Sequence, residues 1–452
     1  MNLCKVGMVL LGSFAALVAR AETVAIVHAK AWTLVEDQPI DDATIVITDG
    51  SIVSVTSAAA PPAGARIIDA QGRTVTPGIM NAATHLGLVE VGAANETVDH
   101  SAKPGGPGAA FDIQYAINSN SALIRLARAD GLTRAVTYPS SGGVAPFGGL
   151  GALLHLVEHG EVLEQPRIGL FATIGNRSAA ASVGSRAAQW QALRAALDNA
   201  KAKPAVAPPA ATPGQNPTPG PTGGGPSVAL PFNPTTSVST PRTADLAAAL
   251  DLLLSGKIPL AITTHRESDV RQAAKLARDY DIRVVIIGGA EAWRAANELA
   301  EAKVAVVLDP MANLPYSFDQ LASRLDNAAL LRKAGVVVAV SLDGVQSYNA
   351  GLSLREGAGL AVANGLPYIE GLRAIISAPA EIWGANDRGG TLAEGKDADI
   401  VIWDGDPLEP SSLAMTVLIR GREASLLTHQ SELRDRYWPQ IRSQATATQT
   451  RP

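Results

Sequence analysis

The chain has 452 residues, 47% of them apolar and only 4% aromatic, so a large core is available and Val, Ile, Leu and Ala must fill it, as they do in barrels and parallel sheets. A formal net charge of -5 without a basic block offers polyanions no electrostatic footprint and argues against nucleic acid as a partner. A single cysteine, Cys4, rules out an intramolecular disulfide framework.

Residues 1–21 place Lys5 before the apolar run Val6 to Val18 and finish in Ala19-Arg20-Ala21, the pattern of a cleavable export signal, with cleavage expected before Glu22. The run is short for a bilayer span, so no transmembrane segment is expected after cleavage, and the periplasm or the exterior is the expected address. Cys4 leaves with the peptide. The mature chain then has no thiolate, and any metal must be held by imidazole and carboxylate.

The mature chain opens on β-rich runs, TVAIVHAKAWTLV and ATIVITDGSIVSVT, the second carrying the hairpin-turn pair Asp49-Gly50. A matching group closes it, ADIVIWDGDPL and TVLIRGREASL, with a turn near Arg420-Gly421. These ends predict one small β-sandwich, built from residues 22–75 and 385–428. Residues 76–384 alternate apolar strands with helix-like segments, the pattern of a parallel sheet. Seven strands stand out there: GIMNAATHLG, LTRAVTYP, RIGLFATIG, IPLAITTHR, IRVVIIGG, VAVVLDP and VVVAVSLDG. An eighth is missing or hidden in the poorly patterned middle. The expected fold class is α/β, a distorted (β/α)8 TIM-like barrel plus a small β-sandwich formed by both termini. Residues 203–241 are dense in Pro, Gly and Thr, read as a mobile insertion on a barrel loop. Residues 429–452 form a C-terminal helix and tail.

Chemistry in such a barrel gathers at the carboxyl ends of the strands. Three polar residues close strand candidates there: His85, His265 and Asp343. Two imidazoles and a carboxylate are the minimum for an open mononuclear site that activates water. Each also has a plainer reading. Asp343-Gly344 is an ordinary turn dipeptide, and a strand-end histidine is as readily a hydrogen-bonded pocket residue.

GRTVTPGIMNAATHLG and, more specifically, GGTLAEGKDADIVIWDGDPLE resemble the segments that lead into and out of the barrel in the metal-dependent amidohydrolase superfamily, in its imidazolonepropionase-like or dihydroorotase-like branch. IIGGAEAW is similar to the sixth strand and its exit, and VAVSLDG to the eighth with its aspartate. The resemblance covers nearly the whole mature chain and implies hydrolysis of non-peptide C–N bonds by metal-activated water, with Asp343 binding metal and taking a proton. Zinc is the expected ion, against the alternative of no metal at all. Departures from the pattern are as informative. Ala83 stands where the first-strand pair would have its other histidine, Thr263 where the fifth strand would have its first, and Gly288 where the sixth would have its own. No bridging lysine is evident: Lys257 precedes its strand, and Lys201 and Lys203 lie at the edge of the insertion. A binuclear centre is therefore not expected.

Arg266 and Arg355 are candidates to clamp a substrate carboxylate, with surface ion pairing as the competing reading, and Glu90 could supply a polar contact in the same mouth. His155 and His159 have the i, i+4 spacing of a helical metal pair, but LGALLHLVEHGEVLEQP reads equally as a β-hairpin. His28 and His429 lie away from the strand ends. Three functions follow: an exported hydrolase of C–N bonds with a depleted, mononuclear site; a catalytically inactive barrel that binds a small molecule or serves as a partner subunit, either as a homo-oligomer or beside a metal-competent homologue; and a metal-free enzyme using Asp343 and His265 as acid and base.

Overall fold

The structure, a computed structural model, describes residues 22–103, 106–140, 146–175, 185–202, 243–312, 315–342 and 348–449. The expected export signal, Asp343 and the Pro-rich stretch 203–241 fall outside the described residues.

Five strands open the chain: β1 (Thr23–Ala31), β2 (Ile40–Thr48), β3 (Ser51–Ser57), β4 (Arg66–Asp69) and β5 (Thr74–Pro77). The β2–β3 hairpin turns on Asp49 and Gly50, both at positive φ (50° and 80°), the geometry that the Asp-Gly pair selects. The barrel sheet follows as β6 (Ile79–Thr84), β7 (Leu132–Thr137), β8 (Phe147–His155), β9 (Leu163–Thr173), β10 (Leu260–Thr264), β11 (Val284–Gly288), β12 (Ala305–Leu308) and β13 (Val338–Val340), hydrogen-bonded in that order. The described helices around and between them are α1 (Ala122–Ala129), α2 (Arg186–Lys201), α3 (Thr243–Leu254), α4 (Glu267–Tyr280), α5 (Ala296–Glu301), α6 (Asn327–Lys333), α7 (Leu352–Ala363), α8 (Tyr368–Ile375) and α9 (Ser377–Trp383). The chain then returns to the first sheet through β14 (Ile400–Trp403), β15 (Ala414–Ile419) and β16 (Arg422–Glu423), and ends on α10 (His429–Gln449).

β14 pairs antiparallel with β5, so one eight-stranded sheet is assembled from both ends of the chain. The β15–β16 turn, Arg420-Gly421, also has positive φ at both residues (48° and 70°). It packs on the Asp49-Gly50 turn so closely that a Cβ on Gly50 would lie 2.8 Å from the Arg420 carbonyl oxygen. Gly50 is therefore required twice, by its backbone angle and by its neighbour. Among the described residues, no helix is long and apolar enough to cross a membrane.

The eighth barrel strand is β8, and its direction is where the expected (β/α)8 plan is distorted. It runs antiparallel to both β7 and β9, while the remaining neighbours are parallel. FGGLGALLH lacks the helix-to-strand alternation around it because a hairpin, not a βα unit, joins it to β9. The hairpin reading of residues 150–166 thus holds, and the i, i+4 spacing of His155 and His159 carries no helical meaning. Strands β10 to β13 are buried on both faces: Leu260, Ile262, Val284, Ile286, Val306 and Val338 pack outward toward the helices, and Ala261, Val285, Ile287, Val307 and Ala339 pack into the barrel interior. This double burial explains their unbroken apolar runs. Ser341 closes the barrel between its last and first strands, its Oγ donating to the Ala83 carbonyl at 2.7 Å.

Candidate functional site

The parallel strands end together, and their last residues line the barrel mouth. A cavity of about 20 Å³ there is lined by Ala83, Tyr138, Thr263, His265, Gly288 and Asp309 among others. It has room for a single water-sized species. His85, one residue beyond β6, is not among its lining residues. Its Nδ1 lies 2.9 Å from the Tyr138 carbonyl oxygen and donates to it, and its ring is sandwiched between His100 (centroids 4.4 Å apart) and Tyr138 (4.7 Å). Tyr138 in turn stacks on Phe171 at 5.0 Å, and Phe171 on Trp383 at 5.4 Å. A column of five rings therefore runs from the mouth into the interior, each pair within the range of favourable ring contacts. At its outer end His100 Nδ1 is 2.7 Å from Ser140 Oγ, and burial pushes the His100 imidazole below its ordinary value.

His265 lines the mouth cavity together with Tyr138. Its imidazole lies against Gly288: a Cβ placed there would be 2.5 Å from His265 Cε1 and 2.8 Å from Nδ1. Gly288 also has φ +97°, a conformation that residues with a side chain rarely adopt. Sterics and backbone together reserve this position for glycine, so the histidine that the resemblance places here has been replaced by the ring of a neighbour. His265 Nδ1 meets Gln320 Nε2 at 3.2 Å. Nearby, a residue that sequence reasoning missed, Glu291, accepts with its buried carboxylate from the backbone N–H of Ala322 (2.9 Å), two residues after Gln320, and of Glu267 at the start of α4 (3.0 Å). A carboxylate is favoured at a helix N-terminus. The only sequence signal was its place in IIGGAEAW.

The other candidates are distributed differently from expectation. Arg266 Nε pairs with Asp269 at 3.4 Å on the first turn of α4 and is 40% exposed. Asp269 also accepts from Trp190 Nε1 at 3.0 Å and pairs with Arg186 at 3.2 Å. Arg266 is placed in this ion cluster, the competing reading. Glu90 accepts from Asn118 at 3.1 Å. Arg355 requires a correction. It is buried on α7, where its Nη1 donates to the carbonyls of Pro407, Glu409 and Ser412 at 3.1 to 3.2 Å, and its guanidinium lies 4.9 Å from the Trp403 ring. Burial pushes its pKa down, with Asp130 opposing. The side chain is buried with Nη1 held by three carbonyls, which keeps the guanidinium from serving as an exposed clamp for a substrate carboxylate. Lys201 lies over the Tyr280 ring at 4.8 Å, and Lys203 is outside the described residues.

At the opposite end of the barrel a second cluster brings ligand-type atoms of His155, Asp397 and Asp399 within 4.8 Å of one another. Its cation is already supplied by the protein. Arg134, buried on β7, bonds Asp399, Asp397 and Glu164, so three carboxylates converge on one guanidinium. Burial pushes the Asp399 carboxyl up, but Arg134, His155 and the Arg420 backbone N–H outweigh it and hold it at about 2. The signal for this cluster was present in the sequence: a lone arginine inside the apolar strand LTRAVT must find a partner.

Residues 219–422 match the profile of the Amidohydrolase family. An amidohydrolase from Thermotoga maritima MSB8 superposes with a TM-score of 0.74 at 22% identity, covering 89% of this chain and 99% of that one. The chain carries the amidohydrolase fold. A prolidase solved with N-methylphosphonate-L-proline has the same architecture, with a TM-score of 0.53, 18% identity, and coverage of 89% and 99%. The curated protein amidohydrolase tasK of Hapsidospora irregularis is 44% identical over 57 residues, which are 13% of this chain and 6% of that protein's length. Against the metal centre implied by this fold, the described donor set does not fit. Ala83 is a buried methyl, Gly288 excludes a side chain, and His85 is stacked in the ring column outside the lining of the cavity that His265 borders.

Proposed function

We propose that this chain is an amidohydrolase-fold protein that works as a small-molecule binding or partner subunit without hydrolytic turnover of its own. One observation carries the reading: the His265 imidazole fills the space, and the +97° backbone forbids the side chain, that a sixth-strand ligand at Gly288 would need. Loss of donors at Ala83 and Thr263 acts in the same direction. A packed ring column, rather than a cluster of lone pairs, then stabilises the top of the barrel. Export to the periplasm belongs to the same proposal and rests on the pattern of residues 1–21.

The family match over residues 219–422 and the fold support an amidohydrolase-like hydrolase, and one contact favours that second reading. The bond from His85 Nδ1 to the Tyr138 carbonyl leaves Nε2 as the lone-pair atom, the tautomer by which ligating histidines are commonly oriented. Under it, His85, His265 and Asp343 would hold a single divalent ion, zinc by the chemistry of the donors, and act on a non-peptide C–N bond. Elemental analysis of untagged protein purified with supplemented zinc, manganese or iron separates the two. Substoichiometric metal that is unchanged by His85→Ala supports the binding subunit. One ion per chain, lost in His85→Ala, overturns it in favour of the hydrolase.

A further inference from the structure

Between β12 and α6 the chain runs beside the barrel mouth in turns whose polarity is inverted. Among the described residues, the four most exposed large apolar side chains are Tyr115 (83%), Phe318 (82%), Tyr316 (73%) and Leu321 (64%), and three of them fall within residues 316–321. The polar residues in the same stretch, Asp319 and Gln320, are the buried ones, each 8% exposed. Asp319 pairs with Arg186 on α2, and Gln320 Nε2 meets His265 Nδ1. The Ala322 N–H donates to Glu291, and its carbonyl accepts from Trp293 Nε1, both at 2.9 Å. Two consecutive turns, closed by the Gln320 N–H on the Ser317 carbonyl and the Ser323 N–H on the Gln320 carbonyl (both 3.1 Å), place Phe318 and Leu321 at equivalent corners. Left to solvation alone, such a segment would bury its rings and expose its carboxylate. Here polar anchors hold it the other way, so the apolar side chains are displayed on a fixed frame, which lowers the ordering cost of covering them.

We propose that Tyr316, Phe318 and Leu321 dock against the same patch of a second copy of this chain, about a twofold axis. Area and charge select this occupant. At roughly 200 Å² per large side chain, the three leave on the order of 400 Å² in water on each copy. Two copies covering each other would remove on the order of 900 Å², most of the roughly 1,000 Å² that a specific interface needs, before any flanking residue is counted. Beside the patch, Arg324 pairs with Asp326 and Arg294 with Glu267 (3.2 Å), and both guanidiniums lie over the Trp293 ring (4.7 and 5.1 Å). These charges are matched within the chain, so the surface carries no excess of one sign to repel its own copy or to steer a highly charged partner. Rings and an aliphatic side chain make few directional demands, which suits a contact in which one surface must complement itself. The proposal goes beyond the reading of the barrel mouth and does not depend on it.

The test is sedimentation velocity of the full mature chain over a concentration series. Phe318→Asp and Leu321→Asp are the patch variants, and Val53→Asp, on β3 of the terminal sheet and 45% exposed, is the control. Wild type and control are expected to form a concentration-dependent dimer of equal strength. Each patch variant should dimerise at least tenfold more weakly, because a twofold contact would bring two added carboxylates into an apolar interface. Phe318 and Leu321 are exposed, so neither substitution opens the core, and far-UV circular dichroism at low concentration checks that the fold is kept. A wild-type chain that stays monomeric at every concentration would assign the patch to a partner of another sequence and overturn the proposal. So would a dimer of unchanged strength in either patch variant, equal weakening in the Val53→Asp control, or an open series of larger species. Sedimentation does not register the metal content that tests the barrel mouth, so the two readings fail separately.

Discussion

The imidazole of His265 and the missing side chain of Gly288 occupy one and the same volume, with 2.5 Å separating Cε1 from the point where a Cβ would sit. The ring fills the hole that the glycine leaves. Gly288→Ala should therefore destabilise the protein by about 2–3 kcal/mol, from backbone strain and overpacking together. His265→Ala in the same chain should recover the overpacking part and leave the strain. Urea denaturation of the two single variants and the double variant measures this as a coupling energy; simple additivity would show that the ring and the glycine do not share that space.

Arg134 anchors the base of the barrel to the terminal sheet through Asp397 and Asp399. Removing it takes the guanidinium from buried Asp399, while Arg388 still pairs with Asp397 at 2.6 Å, and Arg134→Met should cost about 3–5 kcal/mol. Arg134→Lys should recover little, because an ammonium cannot reproduce the fork that reaches three carboxylates. Thermal or chemical denaturation reads both. Wild-type stability in Arg134→Lys would show that charge alone is what matters here.

Asp399 also makes the protein acid-sensitive in a definite window. Its carboxyl is held at about 2 in the folded protein, below the ordinary value near 3.9 of an unfolded chain. A depressed folded pKa contributes stability that is complete above the unfolded value and is lost as pH falls through the folded one. The contribution, on the order of 2 kcal/mol, should disappear between about pH 4 and pH 2. In a pH series of denaturation midpoints, Asp399→Asn should flatten this segment; an unchanged slope would mean that other carboxylates carry it.

Arg355 separates a structural from a substrate-binding role. Its three carbonyl contacts tie α7 to residues 407–412, so Arg355→Met should lower stability by about 2–3 kcal/mol through unpaired carbonyls and leave binding at the mouth unaltered. A variant of normal stability with weakened binding of an anionic ligand would restore the clamp.

The two-ended plan of this chain was legible because it rests on local chemistry. Asp49-Gly50 and Arg420-Gly421 set their turns from their own backbone preferences, and the apolar runs of β10 to β13 record burial on two faces. β8 was read as one arm of a possible hairpin but not counted among the barrel strands, because FGGLGALLH carries no signal of its place in the sheet, which only its pairing with β7 and β9 supplies. Arg355 was misread for a related reason: a guanidinium's role depends on which acceptors surround it, and those come from residues more than fifty positions away.

By itself the sequence determined that a barrel of small aliphatic residues would be bracketed by a β-rich module from both termini, and that Ala83, Thr263 and Gly288 bring no imidazole to its mouth. Tertiary structure alone decided that His85 stacks between His100 and Tyr138 while the His265 ring fills the space beside Gly288, and that Arg134 gathers Glu164, Asp397 and Asp399 at the other end. Composition and periodicity report how much surface a residue must bury. The direction a ring faces is set by neighbours that the chain brings together only on folding.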